Sequence, residues 1–188
     1  VFLSVDIGSL SESLFEAEMF GHRRGSFTGA DADRPGRFQA ASGGTLFLDE
    51  VGNLPLHLQA KLLSALEQRR VTPVGSDRSE AIDVRLISAT NVSAESLRDS
   101  AHFRPDLLFR LNTVEITLPP LRQRRDDIMP IAQHYLANYS RKYATAPKSF
   151  SSQAEALMRE YDWPGNVREL ENVIERAIIL SQETTLRM

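Results

Sequence analysis

The stretch GGTLFLDE, residues 43–50, decides how this chain is read. Its apolar run is that of a buried strand, and it ends in two adjacent carboxylates, Asp49 and Glu50. A strand closing this way puts both acids at the carboxyl edge of a sheet, where open α/β sheets bind their ligands. In phosphoryl-transfer sites one acid at such an edge holds Mg²⁺, usually through water, and its neighbour orients and deprotonates the attacking water. Two acids after a strand also serve as plain first-turn residues of a helix, where they suit the helix dipole. The octapeptide leaves both readings open.

Outward from it lie three more apolar runs that read as strands: VFLSVDI (1–7), VRLISAT (84–90) and TVEITLP (113–119). Three of the four runs, all but the first, lack clean alternation, as expected for strands covered on both faces. Helical patterns alternate with them. Residues 11–20 carry Leu14, Phe15, Ala17, Met19 and Phe20; residues 55–69 open with Pro55 and carry Leu58, Leu62, Ala65 and Leu66 on one face. The alternation predicts a mostly parallel, doubly wound α/β sheet over residues 1–125. After LPPLRQRRDD (118–127) the pattern is helical throughout, giving a second part over 126–188 with about three helices. Ser152 with Glu155 predicts a capping box for the second of these, and Asn166 with Glu169 starts the third.

Composition narrows the function classes. The 188 residues are 41% hydrophobic and 25% charged, with a net charge of −3, so no basic footprint for nonspecific nucleic-acid binding exists. Lys61, Lys142 and Lys148 are the only lysines, and the remaining basic residues are arginines. Arginine's fork suits phosphate and carboxylate, although GC-rich coding produces the same skew. Without cysteine there is no disulfide framework or thiolate chemistry, and the four histidines show no ligand spacing. No apolar run reaches the ~20 residues that span a membrane, and Val1 opens on a strand pattern rather than a charged leader. A cytoplasmic protein is expected.

Four further places could carry chemistry. Thr90-Asn91 ends the strand pattern VRLISAT, where an amide could sense a γ-phosphate or, as readily, make a turn. In FRPDLLFRL, Arg104 and Arg110 flank a short helix opened by Pro105; they are solvated charges unless a subunit edge lets them act on a neighbour's phosphate. In WPGNVREL, Arg168 sits in a helix's first turn, where a cation opposes the dipole. Finally, FGHRRGSFTGA (20–30) holds Phe27 and Thr28 between two glycines on a polar loop. An aromatic there either pins the loop to the core or is offered to a partner.

Taken in order, FGHRRGSFTGA, GGTLFLDE, LISATN, FRPDLLFRLN, LPPLRQRRDDI and YDWPGNVRELENVIERA resemble the central AAA+ ATPase domain of sigma-54-dependent bacterial transcription activators, the enhancer-binding proteins. The resemblance covers nearly the whole chain, and GSFTGA is close to diagnostic among AAA+ proteins. It implies a P-loop-type parallel sheet followed by a small helical lid, with ATP and Mg²⁺ as ligands. Asp49 and Glu50 then correspond to the Walker B pair, Asp49 for Mg²⁺ through water and Glu50 for the attacking water. Thr90 and Asn91 correspond to sensor I, Arg104 and Arg110 to arginine fingers reaching the ATP of the next subunit in a ring hexamer, and Arg168 to sensor II. Gly25, Ser26, Phe27, Thr28, Gly29 and Ala30 correspond to the L1 loop that contacts sigma-54 in the closed RNA polymerase complex, and VTPVGSDRSEA (71–81) to the second pore-side loop. ATP hydrolysis in the ring would then remodel that complex and open promoters.

Departures from the family pattern set further expectations. Ser26 replaces the usual alanine, a small change. Asp6 stands where the family has an asparagine that bonds the Walker B glutamate; an ionised Asp6 cannot donate that bond and would repel Glu50 or share a proton with it, altering basal hydrolysis. No Gly-x-x-x-x-Gly-Lys-Ser/Thr occurs, and Val1 falls at the family's second strand, so the P-loop and first strand would lie upstream. The segment by itself is expected not to bind ATP well and to fold poorly, and the family's DNA-binding helix-turn-helix and regulatory domain lie outside these residues. The rival readings are another AAA+ remodelling machine, or a non-hydrolysing sigma-factor-binding module without a P-loop.

Overall fold

From its first residues the chain runs through β1 (Phe2–Asp6), a 3-10 turn (Ile7–Ser9), α1 (Glu12–Phe20), the one-turn α2 (Arg37–Ala40) and β2 (Gly44–Asp49). A second 3-10 turn (Val51–Asn53), α3 (Leu56–Gln68), β3 (Arg70–Val71), β4 (Glu80–Ala81), β5 (Val84–Ser88), α4 (Ala94–Arg98) and α5 (Pro105–Leu111) follow. The computed structural model describes residues 1–181 and 183–186. They divide into two units, Val1–Glu115 and Ile116–Met188.

The first unit is an α/β layer. Its sheet has the order β1-β2-β5, all parallel, with Asp6 opposite Asp49 and Leu48 opposite Ser88. Parallel neighbours require crossovers, which α1, α2 and α3 supply. One sheet face, with Leu3, Val5, Leu46, Leu48 and Leu86, packs on Phe15, Met19, Leu58 and Leu62. The other face carries Phe2, Phe47 and Ile87; Phe2 stacks on Phe47 at 6.3 Å yet is 66% exposed. The strands are thus covered on one face among the described residues, not on both as their missing alternation predicts. Alternation was blurred because apolar residues occupy the open face too.

A second correction concerns TVEITLP. Residues 113–119 form no strand, and Val114, Ile116 and Leu118 are 78–79% exposed. A strand exists through its ladder bonds, and among the described residues no neighbour pairs with this segment.

The second unit begins with the 3-10 turns Leu121–Gln123 and Arg125–Asp127 and holds α6 (Ile128–Lys142), β6 (Ser149–Phe150), α7 (Ser152–Glu160), α8 (Asn166–Leu180) and β7 (Thr185–Leu186). Ile128, Ala132, Met158, Leu170, Ile174 and Ile178 make its core, closed by Trp163, whose indole N–H donates to the Met158 carbonyl at 2.8 Å. Two details differ from expectation. The unit is not purely helical, because β6 pairs with β7 in parallel. The N-cap of α7 is Ser151, whose hydroxyl accepts from the Ala154 N–H at 3.2 Å, and Ser152 is already helical.

Candidate functional site

The carboxyl ends of β1, β2 and β5 make one edge, and the sequence places acids on two of them. Asp6 and Asp49 sit in register on adjacent strands. Glu50, the next residue, adopts the left-handed conformation (φ 56°, ψ 34°), which costs a non-glycine residue about 1–2 kcal/mol. That bend turns the chain off the strand and into the 3-10 turn. The Glu50 N–H donates to Asp49 Oδ1 at 3.0 Å, and Val51 N–H donates to the Ala89 carbonyl at 3.1 Å, so the bent turn is tied to the end of β5. Among the described residues Glu50 is the one acid of the five non-glycine residues with positive φ.

The Glu50 carboxylate lies against a cavity of about 280 Å³ lined by Gly8, Glu12, Phe15, Asn53 and Leu58 among others. A side-chain carbon at Gly8 would collide with Glu50 Oε2, and Asp6 Oδ1 stands 3.3 Å from the same point. Asp6 and Glu50 are therefore close neighbours, as the family resemblance implies. The amide that Glu50 accepts from belongs to Asn53, whose Nδ2 donates to Oε2 at 3.2 Å. Thr90 stands behind the same turn: a side-chain carbon at Gly52 would collide with its Oγ1, which accepts the Val92 N–H at 3.1 Å. Asn91 follows Thr90 and is exposed.

Arg104 and Arg110 lie at the two ends of α5, away from one another's partners. The Arg104 guanidinium forks onto Asp106, with Nε to Oδ1 at 3.0 Å and Nη2 to Oδ2 at 2.6 Å. That fork holds the Asp106 carboxyl below its ordinary range and raises Arg104 above its own. Arg110 donates to the Leu66 carbonyl of α3 at 3.1 Å. Arg168 belongs to the second unit, exposed in the first turn of α8 beside Asn172 and Arg176.

The loop of residues 25–30 is a closed tip on a stapled stem. His22 and Arg34 exchange both backbone hydrogen bonds at 2.9 Å, and the Gly25 N–H donates to the Ala30 carbonyl at 2.8 Å. Gly25 (φ 77°) and Gly29 (φ 96°) supply the left-handed bends, with open space around both. Phe27 rests edge-on against His22, ring centroids 5.0 Å apart, and keeps 37% of its surface exposed. The segment 71–81 is bonded to this stem, through Arg23 N–H to the Val74 carbonyl and Val74 N–H to the Gly21 carbonyl, both at 2.9 Å. Arg23 itself bridges Asp33 and Glu80 at 2.9 Å each. The Arg24 N–H first, and Arg23 after it, hold the Asp33 carboxyl below its usual range.

Residues 1–117 match the Sigma-54 interaction domain, and residues 122–188 match the AAA+ ATPase lid domain. The chain belongs to the sigma-54 interaction domain family. It is 49% identical over 186 residues to the Sigma54-dependent transcriptional activator SfnR of Pseudomonas putida, covering 99% of this chain and 51% of that protein. It is 48% identical over 178 residues to the transcriptional regulatory protein ZraR of Escherichia coli K12, covering 95% of this chain and 40% of that one. The crystal structure of NtrX from Brucella abortus in complex with ATP superposes with a TM-score of 0.87 at 31% identity, over 96% of this chain and 40% of NtrX. The chain thus spans about half the length of SfnR and two-fifths of ZraR.

Within this sigma-54 interaction domain the structure gathers Asp6, Asp49, Glu50 and Thr90 at one sheet edge and keeps both arginines of α5 in contact with their own unit, while Arg168 belongs to the lid domain. Three residues escaped the sequence reading: Asn53 and Gly8 beside Glu50, and Gln59, fully buried on α3. Asn53 and Gly8 sit in segments that read as turns. Gln59 sits in the pattern of α3, where a polar residue normally faces water. Its place three and four residues before the buried Leu62 and Leu63 was the available signal.

Proposed function

We propose that this chain is the ATP-hydrolysing, sigma-54-contacting module of a transcription activator, working in a ring of identical subunits in the cytoplasm. The observation that carries it is the end of β2, where a strained Glu50 stands beside Asp49 on the ligand-binding edge. Family membership supports the sigma-54 contact, and the ATP complex of NtrX supports the nucleotide. Among the described residues no cluster of three or more metal-ligating side chains occurs. One carboxylate with a free oxygen suits Mg²⁺, which keeps several waters and takes the rest of its ligands from phosphate. Mg²⁺ would neutralise charge on the phosphates, and Asp49 would hold it.

In this reading Glu50 accepts the proton of the water attacking the γ-phosphate, and Thr90 and Asn91 report that phosphate to the turn behind them. Arg104 and Arg110 act on the nucleotide of a neighbouring subunit, and Arg168 acts from the lid. The phosphate cradle comes from outside these residues, which contain no Gly-x-x-x-x-Gly-Lys. Gly25, Ser26, Phe27, Thr28, Gly29 and Ala30 present an apolar ring and a hydroxyl to sigma-54 RNA polymerase. DNA is contacted through a separate domain of the protein.

The test is Glu50→Gln in the full-length protein. ATP binding is retained, and hydrolysis falls by the ~10²-fold or more typical of losing a general base. Hydrolysis near the wild-type rate would remove Glu50 from the chemistry. Phe27→Ala hydrolyses ATP but loses sigma-54 in a transition-state-analogue complex; retained capture would make Phe27 a loop anchor on His22 only.

A further inference from the structure

Among the described residues one polar side chain lies wholly inside the core, Gln59 on the first turns of α3. Both N–H groups and the oxygen of its amide are engaged. Nε2 donates to the Leu54 carbonyl at 2.6 Å and to the His102 carbonyl at 3.0 Å, and Oε1 accepts the Arg104 N–H at 2.8 Å. Two carbonyls and one N–H admit a single orientation of the amide, since only the oxygen can accept. The three backbone groups belong to two separate segments. Leu54 closes the 3-10 turn that Glu50 opens, and Arg104 is the residue on which α5 begins.

We propose that Gln59 is a positioning residue that fixes Arg104 relative to the turn bearing Glu50. This rests on the reading that Glu50 and Arg104 serve ATP hydrolysis. Arg104 is set at two points: its backbone N–H by Gln59, and its guanidinium by the two bonds it donates to Asp106. The same helix reaches the second arginine, because the Leu66 carbonyl of α3 accepts from Arg110. α3 therefore runs as a bar from the base to both arginines, and Gln59 is its bolt at the Arg104 end. A base that serves its own subunit's nucleotide and an arginine offered outward to another copy are then held in one frame. A leucine at position 59 would fill the space but take the amide partner from three backbone groups and leave the start of α5, with Arg104, free to shift against the turn.

The experiment is a double-mutant cycle in the full-length protein, reading steady-state ATP hydrolysis. Gln59→Met keeps the volume and removes the amide. Misplacing a catalytic group by about 1 Å costs on the order of 100-fold, so kcat is expected to fall about 10- to 100-fold with KM for ATP within twofold. In an Arg104→Ala background the same change is expected to cost no more than twofold, because Gln59 acts through Arg104. Should Gln59→Met fail to fold, Gln59→Leu, also apolar and of similar volume, is read by the same cycle. Amide hydrogen exchange supplies a readout apart from activity: the Arg104 N–H is protected in the wild type and loses that protection in Gln59→Met. If the two losses multiply in full, or if KM rises while kcat stands, Gln59 is a packing residue and the proposal fails. If Arg104→Ala and Glu50→Gln both leave hydrolysis intact, the functional reading beneath it has failed instead.

Discussion

The two units spend their apolar residues differently. In Ile116–Met188, helices α6, α7 and α8 close around Ile128, Met158, Leu170 and Ile174, and the single tryptophan seals one end with its N–H satisfied. In Val1–Glu115 the sheet buries Leu46 and Leu48 on one side while Phe2, Phe47 and Ile87 line the other, and the charged residues of interest crowd its carboxyl edge. A lid-like unit can complete its own core because three helices enclose a line. A three-stranded sheet has two faces and two edges, and one layer of helices covers only a single face. The difference predicts that core truncation hurts the second unit sharply, whereas truncation on the open sheet face costs little.

Trp163→Ala gives the largest expected effect, a loss of about 3–5 kcal/mol from the second unit, read by denaturant unfolding followed by circular dichroism. Its counterpart, Phe2→Ala, is expected to fall within about 0.5–1 kcal/mol, the value of its stacking contact with Phe47. Equal losses would break the comparison, because they would mean that the exposed face is covered in solution.

Next in size is Gly36→Ala. A side-chain carbon there would strike the backbone of Met19, Phe20 and Gly21, which cannot rotate away as a side chain would. Overpacking of this kind costs about 1–3 kcal/mol in the first unit. It also pulls on the stem of the 25–30 loop, since Gly21 and Arg34 belong to it. A Gly36→Ala chain as stable as wild type would show that the stem is slack, and that the first unit is loose at its loop as well as on its open face.

What the sequence could show follows the same division. β1, β2 and β5 were legible as apolar runs, and Asp49, Glu50, Thr90 and Asn91 as the polar residues that end two of them. TVEITLP carries the same pattern and forms no strand, because the pattern records a preference and pairing needs a neighbour. β6 and β7 were illegible for the opposite reason: two-residue strands have no pattern, and Ser149 meets Thr185 only through the fold. Asp6 was legible as a neighbour of Glu50 through the family resemblance, but the amide that donates to Glu50 was not. Asn53 reaches Glu50 only because Glu50 takes a left-handed turn that no residue type at that position signals. Asp6→Asn in the full-length protein sharpens this point: with Asn53 already donating, turnover is expected to change by less than about tenfold, the low end of what one hydrogen bond to a charged group is worth.

The smallest effect reads one unit alone. All four tyrosines, Tyr135, Tyr139, Tyr143 and Tyr161, lie in Ile116–Met188, so alkaline titration of their absorbance is silent for the sheet. Tyr139 donates to Glu171 at 2.7 Å, and that bond to a carboxylate, with burial and the negative charge adding to it, pushes its phenol up to about 12. Burial raises Tyr135 and the Glu169 charge raises Tyr161. A folded-state value above the unfolded one means the contribution of Tyr139 is whole below the ordinary tyrosine value of about 10 and is lost as pH climbs towards about 12. Titration at 295 nm is therefore expected to show a step near pH 12 that disappears in Tyr139→Phe and, on unfolding in denaturant, merges with the ordinary tyrosine range. A Tyr139 that titrates at the ordinary value in the folded chain would mean that α6 and α8 do not hold the Tyr139–Glu171 contact, and the second unit would lose its standing as the better closed of the two.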